Sequence, residues 1–362
     1  MGLMKRWFKR NNRRAFRLFQ IEPTLQCGLS CVMCPWTELR PGSGHMEWET
    51  FSRIREYLPQ TEAVDLTGGG EPLKQPHLPE MVRAAKEAGC QVGFSTNGVH
   101  LTEMMAQELM RAGLDWVSFS VDAATAELYE SIRLGASFNQ VTGNIARLSE
   151  LKARAGGGGP KMMMVIVLMT GSPRNVHQLP DYIRLAKRLG VEQVIAKNLD
   201  VILRAGDDGR RVFTHEGSPA PEVEEAVSAA QAASRETGVR LRLYALQPQE
   251  QAVCEHDPLR SVFFNYQGNI SPCITLAYAE NRIFDGQEVH APCQRFGNIR
   301  REALPSVWEQ ESYRDFRRQF ELRRNWEQQA LMDAILQQSA GSAEAMPPAP
   351  ESCRTCYYLY GI

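Results

Sequence analysis

The chain has 362 residues, of which 43% are hydrophobic and 23% are charged, as in an ordinary globular protein. Its net charge of −1 gives no overall attraction for nucleic acid, so we predict no nucleic-acid partner. The longest apolar run, Met162 to Met169, is far shorter than the roughly 20 residues that a membrane-spanning helix needs, and the N-terminus lacks the apolar segment of a signal peptide. We therefore predict a cytoplasmic protein, whose nine cysteines suit metal binding better than disulfide formation.

The N-terminal segment, residues 1–19, is basic and aromatic, and no acidic residue occurs before Glu22. Such a segment fits an arm that contacts a membrane surface or an acidic partner. It also fits a helix that lays its aromatic side chains on the protein body and leaves its basic side chains in water. We favour the second interpretation, and peripheral membrane contact stays open.

Strands and helices then alternate along the chain. Strands are predicted over 21–25, 63–67, 90–96, 116–122, 162–169 and 193–196. Helices are predicted over 47–58, 78–88, 102–112, 138–153 and 176–189. Six strand–helix units are typical of α/β proteins, and we predict a partial (β/α)6 barrel similar to a TIM barrel. In such a barrel the functional loops lie at the C-terminal ends of the strands.

The pattern loosens after about residue 205, and only one further helix, over 223–236, is predicted before the C-terminal region. From Cys254 onward the chain has short strands and turns, with cysteines set around Gly and Pro. We divide the chain into a basic arm over 1–19, a core over 20–250 and a small C-terminal domain over 251–362. Within the last of these, 338–350 is rich in Ser, Ala and Pro and is predicted to be a flexible insertion.

Three cysteines, Cys27, Cys31 and Cys34, form a C-x3-C-x2-C run directly after the first predicted strand. Thiolates are soft ligands that suit iron–sulfur clusters and zinc. Three protein ligands leave one iron of a four-iron cluster open, and an open position on a metal usually marks a reactive site. The alternative is a structural zinc site that a distant cysteine or histidine completes.

A glycine loop, Gly68-Gly69-Gly70-Glu71-Pro72, follows the second predicted strand. Its free amides and the Glu71 carboxylate are suited to hold a polar ligand. The loop is not a dinucleotide-binding fingerprint, because Leu73 stands where the last glycine of G-x-G-x-x-G would be required.

The cysteine run and the glycine loop, in this order and strand context, resemble the radical S-adenosylmethionine (radical SAM) superfamily. In that family three cysteines hold a 4Fe–4S cluster, and S-adenosylmethionine chelates the open iron while the glycine loop contacts its amino group. The resemblance covers roughly residues 20–205. It implies cluster ligands Cys27, Cys31 and Cys34 and cofactor contacts Gly68, Gly69, Gly70 and Glu71.

Two weaker matches extend the resemblance. The segment Ser118–Asp122 with Arg133, and the segment Thr96-Asn97-Gly98, look like family segments at the ends of the fourth and third strands. In the family, polar groups of the fourth-strand segment reach the ribose and carboxylate of the cofactor. The implied contacts are Asn97, Ser120, Asp122 and Arg133. Alternatively, Ser118 and Ser120 merely line one face of a strand.

The C-terminal cysteines resemble a second feature of the superfamily, the auxiliary-cluster domain called SPASM or, in its short form, twitch. The pattern is Cys254-x13-Gly268-x4-Cys273 followed by Cys353-x2-Cys356. It implies one auxiliary 4Fe–4S cluster whose ligands are Cys254, Cys273, Cys353 and Cys356. Four protein ligands leave no iron open, which favours electron transfer over substrate binding.

Two cysteines are left over. Cys90 follows a predicted helix and is interpreted as a small buried hydrophobic residue. Cys293 has three open interpretations: a replacement ligand of the auxiliary cluster, a buried thiol, or a catalytic residue that donates a hydrogen atom to a substrate radical.

The resemblance implies an enzyme that reductively cleaves S-adenosylmethionine to a 5′-deoxyadenosyl radical, which takes a hydrogen atom from a substrate. It also implies an electron donor such as flavodoxin or ferredoxin. The leading hypothesis is oxidation or rearrangement of a small-molecule, sugar or lipid-linked substrate, with the auxiliary cluster as electron acceptor. Lys197, Asn198 and Asp200, after the sixth strand, are the predicted substrate contacts.

Three alternatives stay open. A redox-neutral epimerase would use Cys293 as its hydrogen donor. A peptide-modifying maturase would usually have an additional N-terminal recognition domain, which we do not expect before Cys27. A non-catalytic iron–sulfur or zinc protein would have no need of the Gly68–Pro72 loop.

Overall fold

The computed structural model describes residues 14–39, 42–214, 217–278, 281–335 and 345–362. Its strands are β1 Phe16–Ile21, β2 Thr61–Asp65, β3 Gln91–Thr96, β4 Trp116–Ser120, β5 Lys161–Val167, β6 Gln193–Lys197, β7 Arg240–Leu243, β8 Ser261–Phe264, β9 Asn269–Ser271, β10 Asn281–Phe284, β11 Gln287–His290 and β12 Gly297–Asn298. Its α-helices are α1 Pro35–Leu39, α2 Trp48–Arg55, α3 Leu78–Glu87, α4 Glu103–Ala112, α5 Ala126–Ile132, α6 Phe138–Arg154, α7 Leu179–Arg188, α8 Ala205–Asp208, α9 Pro221–Thr237, α10 Ile274–Tyr278, α11 Leu304–Glu309 and α12 Glu311–Ile335. Short 3₁₀ turns lie at Leu58–Gln60, Pro72–Lys74, Val176–Gln178, Glu351–Cys353 and Tyr357–Tyr360.

One ten-stranded sheet organises the fold, in the order β12-β9-β8-β1-β2-β3-β4-β5-β6-β7. The strands from β1 to β7 pair in parallel with their neighbours, and β8 pairs in parallel with the other edge of β1. β9 and β12 then continue the sheet antiparallel. The predicted α/β fold with parallel strands is confirmed. The sheet crosses the predicted boundary at residues 250 and 251 without a break, because β8 lies directly beside β1.

The first strand lies earlier in the chain than predicted. β1 covers Phe16–Ile21, so it includes the last residues of the predicted arm, while residues 1–13 lie outside the described part of the chain. Phe16 packs edge-on against Trp308, and Phe19 packs edge-on against Phe264. The strand is therefore placed by aromatic partners that lie far away in the sequence.

Strand β7 was not predicted, although its alternation of Arg and Leu is typical of a strand at a sheet edge. Cys90 is buried, with its Sγ 3.3 Å from the Leu58 carbonyl oxygen, which confirms the prediction of a buried thiol. No helix in the described ranges combines the length and the apolarity that a membrane crossing would require.

Helix α12 is tied to the C-terminal segment by one buried cation, Arg323. Its guanidinium donates to the carbonyl oxygens of Ala252 at 3.0 Å and Pro347 at 2.6 Å and to the Glu250 carboxylate at 2.7 Å. The predicted flexible insertion over 338–350 is described only from residue 345 onward, and there Ala349 is buried.

We expect Arg323→Met to lower the free energy of unfolding by about 3 kcal/mol, because the oxygen acceptors around a fully buried guanidinium lose their donor. Urea unfolding followed by circular dichroism measures the change. Arg318→Met, at an exposed position of the same helix, is the matched control and should change stability by about 0.5 kcal/mol or less. Equal effects of the two variants would contradict the assigned role of Arg323.

Candidate functional site

The segment that carries Cys27, Cys31 and Cys34 lies at the C-terminal ends of the central strands. Backbone hydrogen bonds fix it on two sides: the Glu71 amide donates to the Gln26 carbonyl at 2.8 Å, and the Ser30 amide donates to the Leu134 carbonyl at 3.1 Å. The cysteine segment is therefore held between the glycine loop and the end of α5, where the barrel interpretation placed it.

The structure brings the predicted cofactor residues to these thiols. Asn97 Nδ2 lies 3.9 Å from Cys27 Sγ, and Arg133 Nη1 lies 3.7 Å from Cys31 Sγ. Burial raises the pKa of Cys31 to about 11, and the Arg133 charge opposes that rise. Cys34 and Cys27 also raise the pKa of Cys31, so the three thiols lie close enough to one another to interact electrostatically. Cationic and amide donors beside thiolates are the groups that tune an iron–sulfur cluster.

Asp122 fixes the position of Arg133. The Arg133 Nε lies 2.5 Å from Asp122 Oδ2, and Asp122 Oδ1 accepts from the Val167 amide at 2.7 Å. Burial lowers the pKa of Arg133, but the charges of Asp122 and Cys31 raise it by more, so the guanidinium stays charged. Arg133 lies beside Cys31, and the Asp122 carboxylate holds it there; contact of either residue with the cofactor stays a prediction.

The glycine loop packs against the segment that leads from β1 to the cysteines. A Cβ on Gly68 would collide with the Glu22 side chain. A Cβ on Gly69 would lie 2.6 Å from the Trp36 ring, and one on Gly70 would lie 2.5 Å from the Thr24 carbonyl oxygen. Side chains do not fit at these three positions, so the loop backbone lies directly beside the cysteine segment.

Glu71 faces inward. Its Oε1 accepts from Thr96 Oγ1 at 2.6 Å and from the Leu73 amide at 3.0 Å, and its Oε2 accepts from the Asn97 amide at 2.7 Å. Burial raises the pKa of Glu71. The carboxylate thus joins the glycine loop to the end of β3 and positions Asn97. A direct contact between Glu71 and the cofactor stays a prediction.

Ser118 and Ser120 lie on the same face of β4, since side chains two residues apart in a strand point the same way. Ser120 is half-buried at the last position of the strand. Ser118 is buried, and its Oγ has no hydrogen-bond partner within the described ranges. The predicted contact of Ser120 with the cofactor stays a prediction.

The sequence reasoning missed Glu22, which is fully buried directly after β1. Its Oε1 accepts from the Gly69 amide at 2.8 Å, and its Oε2 accepts from the Tyr266 amide at 3.1 Å and from the Tyr278 hydroxyl. Burial raises the pKa of Glu22 to about 7. Glu22 joins the glycine loop to the C-terminal region, and its position as the first acidic residue of the chain was the available signal.

The four predicted auxiliary ligands also come together. Cys254, Cys273 and Cys356 each act electrostatically on Cys353, and the backbone amide of Cys356 donates to the Cys353 carbonyl at 3.0 Å. Burial raises the pKa of Cys273 to about 12, whereas the buried Arg282 charge opposes that rise.

Four thiols beside one guanidinium, with Cys353 buried and the other three half-buried, fit a cluster that takes four thiolates. Within the described ranges, no three His, Cys, Asp or Glu side chains are placed to hold one metal ion. A 4Fe–4S cluster distributes its thiolates over separate irons, so its ligands need not converge on one point.

Cys293 lies beside the segment that carries Cys273. Ser271 Oγ donates to the carbonyl oxygens of both Cys273, at 3.1 Å, and Gln294, at 2.7 Å. The Gln294 amide donates to the Leu276 carbonyl at 2.8 Å. This location is next to the auxiliary cysteines, and Cys293 is not among the residues that line the cavity described next.

A cavity of about 640 Å³ opens inside the barrel. Strands β1, β2, β3 and β6 contribute the inward side chains Gln20, Asp65, Ser95 and Lys197. Each of four further lining residues stands two positions after a predicted cluster ligand: Trp36, His256, Thr275 and Tyr358. Residues that lie close in sequence to both groups of cysteines therefore line the cavity, although no cysteine itself does.

Two of the three predicted substrate contacts line this cavity. Lys197 Nζ lies 2.9 Å from Asp200 Oδ2 and donates to the Tyr358 hydroxyl at 3.0 Å. Asn198 is different, because it is buried and its Nδ2 donates to the Ala245 carbonyl oxygen at 2.7 Å. Asn198 therefore supports the loop behind the cavity.

Comparison with known proteins identifies two domains. A family model of the radical SAM superfamily matches residues 21–186, and a model of an iron–sulfur cluster-binding domain, SPASM, matches residues 254–357. The tungsten-containing aldehyde ferredoxin oxidoreductase cofactor-modifying protein of Pyrococcus furiosus is 29% identical over 304 residues, which is 82% of each chain. The PqqA peptide cyclase of Ruegeria pomeroyi is 30% identical over 135 residues, which is 37% of this chain and 36% of the cyclase.

Among solved structures, Streptococcus suis SuiB bound to S-adenosylmethionine superposes with a TM-score of 0.60 at 13% identity. The match covers 85% of this chain and 69% of SuiB. At this identity the likeness concerns the fold, and it supports the partial barrel.

We expect Gly70→Ala to displace the cysteine segment, because the new Cβ would meet backbone atoms of Thr24 and Leu25 that cannot rotate away. The variant should bind less iron after anaerobic reconstitution and melt at a lower temperature. Gly143→Ala, in α6 with open space around the position, is the control and should be neutral or stabilising. Normal iron content in the Gly70 variant would contradict the packing argument.

Glu22 should make stability depend on pH. Its pKa rises from 4.5 to about 7 on folding, so between these values the folded chain binds more protons than the unfolded chain. Stability is then lost as pH rises through this window. Glu22→Gln cannot titrate at this position. Relative to that variant, the free energy of unfolding of the wild type, measured in urea, should fall by about 1–3 kcal/mol between pH 5 and pH 7. Glu87→Gln, at an exposed position, is the control. A pH-independent difference between wild type and Glu22→Gln would refute this assignment.

Proposed function

Because the chain belongs to the radical SAM superfamily and carries a C-terminal SPASM domain, we propose that it oxidises a small molecule held in the 640 Å³ cavity between its two cysteine sites. Family membership makes the protein an enzyme that uses a 4Fe–4S cluster, S-adenosylmethionine and auxiliary iron–sulfur chemistry. The alternative of a non-catalytic iron–sulfur or zinc protein is thereby overturned.

The residues present fit these groups. Cys27, Cys31 and Cys34 would hold the first cluster, and backbone carbonyl oxygens of the Gly68–Gly70 loop would accept from the amino group of S-adenosylmethionine. Cys254, Cys273, Cys353 and Cys356 would hold one auxiliary cluster. When bound, these groups supply hydrogen-atom abstraction and one-electron transfer. The chain itself orients the substrate and shields it from water.

The shared cavity is the observation that carries the proposal. Residues beside both sets of cysteines line it, so one substrate can lie next to the radical-forming site and next to an electron acceptor. Its volume falls within the range of about 300–1,000 Å³ that is usual for small-molecule sites. We rank oxidation ahead of epimerisation because four protein thiolates would leave no iron of the auxiliary cluster open to substrate, which suits an electron acceptor.

A second candidate is modification of a peptide, which the similarity to the PqqA peptide cyclase favours. That relative matches little more than a third of this chain. The P. furiosus relative, whose name describes a cofactor-modifying protein, matches 82% of the chain and favours a small molecule. A flavodoxin or ferredoxin donor, membrane contact through residues 1–19 and a cytoplasmic location stay predictions.

Anaerobic reconstitution tests the proposal. We expect about eight irons per wild-type chain, as two four-iron clusters require, and release of 5′-deoxyadenosine from S-adenosylmethionine on reduction with dithionite. Cys31→Ala should retain about four irons per chain and release no 5′-deoxyadenosine. Cys90→Ala, which alters a buried thiol away from both sites, is the control and should behave as the wild type. Absence of 5′-deoxyadenosine from the reduced wild type would sink the proposal.

A further inference from the structure

The charged side chains around the cavity are paired, with one clear exception. Three lining cations each have a carboxylate partner within 3.2 Å: Arg17 with Asp257, Lys197 with Asp200, and Arg242 with Glu255. Asp65, the last residue of β2, also lines the cavity. Over the described ranges, Asp65 has no ion-pair partner, so the cavity wall carries one uncompensated carboxylate.

The groups around Asp65 are neutral. Its carboxylate accepts a hydrogen bond from the Thr67 hydroxyl. Thr67 Oγ1 in turn accepts from the Ser95 amide at 2.9 Å, and Gln20 Nε2 donates to the Thr67 carbonyl oxygen at 3.1 Å. Burial raises the pKa of Asp65 to about 7, and the hydrogen bonds from Thr67 only partly oppose that rise. No nearby cation contributes.

We infer that the cavity takes a substrate that carries a protonated amine, and that this ammonium group pairs with Asp65. The inference rests on the proposed function, since it names the class of molecule that this cavity would oxidise. An ammonium group supplies the missing charge and up to three hydrogen-bond donors, for which the oxygen atoms of Asp65, Thr67 and Gln20 are available. A neutral hydroxyl group would leave the carboxylate charge uncompensated.

The remaining walls argue against an anionic substrate. Lys197 already contacts Asp200 and Tyr358, and its ammonium group lies 5.1 Å from the centre of the Tyr358 ring. Arg17 and Arg242 are bound to their own carboxylates. A phosphate or carboxylate ligand would have to displace an existing ion pair, whereas an ammonium ion would not.

Three probes of similar shape test this: D-glucosamine, which carries an ammonium group, N-acetyl-D-glucosamine, in which that charge is removed, and D-glucose. Their affinities for the anaerobically reconstituted enzyme are measured by isothermal titration calorimetry. We expect the wild type to bind glucosamine about tenfold more tightly than either neutral sugar, because a charge-assisted pair in a desolvated site is strong. Asp65→Asn should lose this preference.

Glu62→Gln is the matched control, since Glu62 lies on the same strand but is exposed and paired with Arg260. This substitution changes the net charge by the same amount as Asp65→Asn, and the variant should keep the tenfold preference for glucosamine. Asp65→Asn should melt no lower than the wild type, because it removes an unpaired, half-buried charge while its side-chain oxygen can still accept from Thr67. A lack of preference in the wild type, no binding of any probe, or a preference that persists in Asp65→Asn would overturn the inference.

The release of 5′-deoxyadenosine is measured without any amine, so the two proposals fail separately. An Asp65-dependent preference for glucosamine in a protein that does not cleave S-adenosylmethionine would overturn the proposed function alone. Normal cleavage of S-adenosylmethionine together with equal binding of all three sugars would overturn the inferred amine substrate alone and would leave the proposed function in place.

Discussion

The close contact between the glycine loop and the segment after β1 determines most of the site. Gly68, Gly69 and Gly70 leave no space for a Cβ, so the loop backbone lies directly against Glu22–Leu25 and Trp36. This contact brings the end of β2 to the start of the cysteine segment. It also lets Glu71 reach the end of β3, where it accepts from Thr96 and the Asn97 amide. Asn97 then lies beside Cys27.

The same contact connects the two cysteine sites. Glu22 accepts from the Gly69 amide on one side and from Tyr266 and Tyr278 on the other. Tyr278 ends α10, the short helix that begins directly after Cys273. Because β8 pairs with β1, the strands β8, β9 and β12 of the C-terminal region extend the barrel sheet. A displacement at either cysteine site would therefore strain a shared set of buried hydrogen bonds.

Local patterns in the sequence were sufficient to predict part of the fold and part of the site. The spacing of Cys27, Cys31 and Cys34, the glycine loop and the strand–helix alternation all lie within short stretches of chain, so they could be recognised there. The position of β1 could not be predicted, because its buried aromatic residues pack on Phe264 and Trp308. Glu22 was missed for the same reason, since its tyrosine partner lies 256 residues away. Periodicity carries no information about such pairings.

The direction of side chains was a second feature that the sequence could not predict. A strand predicts which residues share a face, but not how an acidic side chain at its end is used. Glu71 and Asp65 end or follow the same strand, yet Glu71 is bound by three donors from the protein, while Asp65 faces the cavity with Thr67 as its partner. Donors from the protein stabilise the Glu71 carboxylate, whereas the half-buried Asp65 carboxylate keeps acceptor capacity for a group in the cavity. The asymmetry between these two acids therefore gives Glu71 a part in the architecture of the site, and it supports the proposed role of Asp65 in binding a ligand.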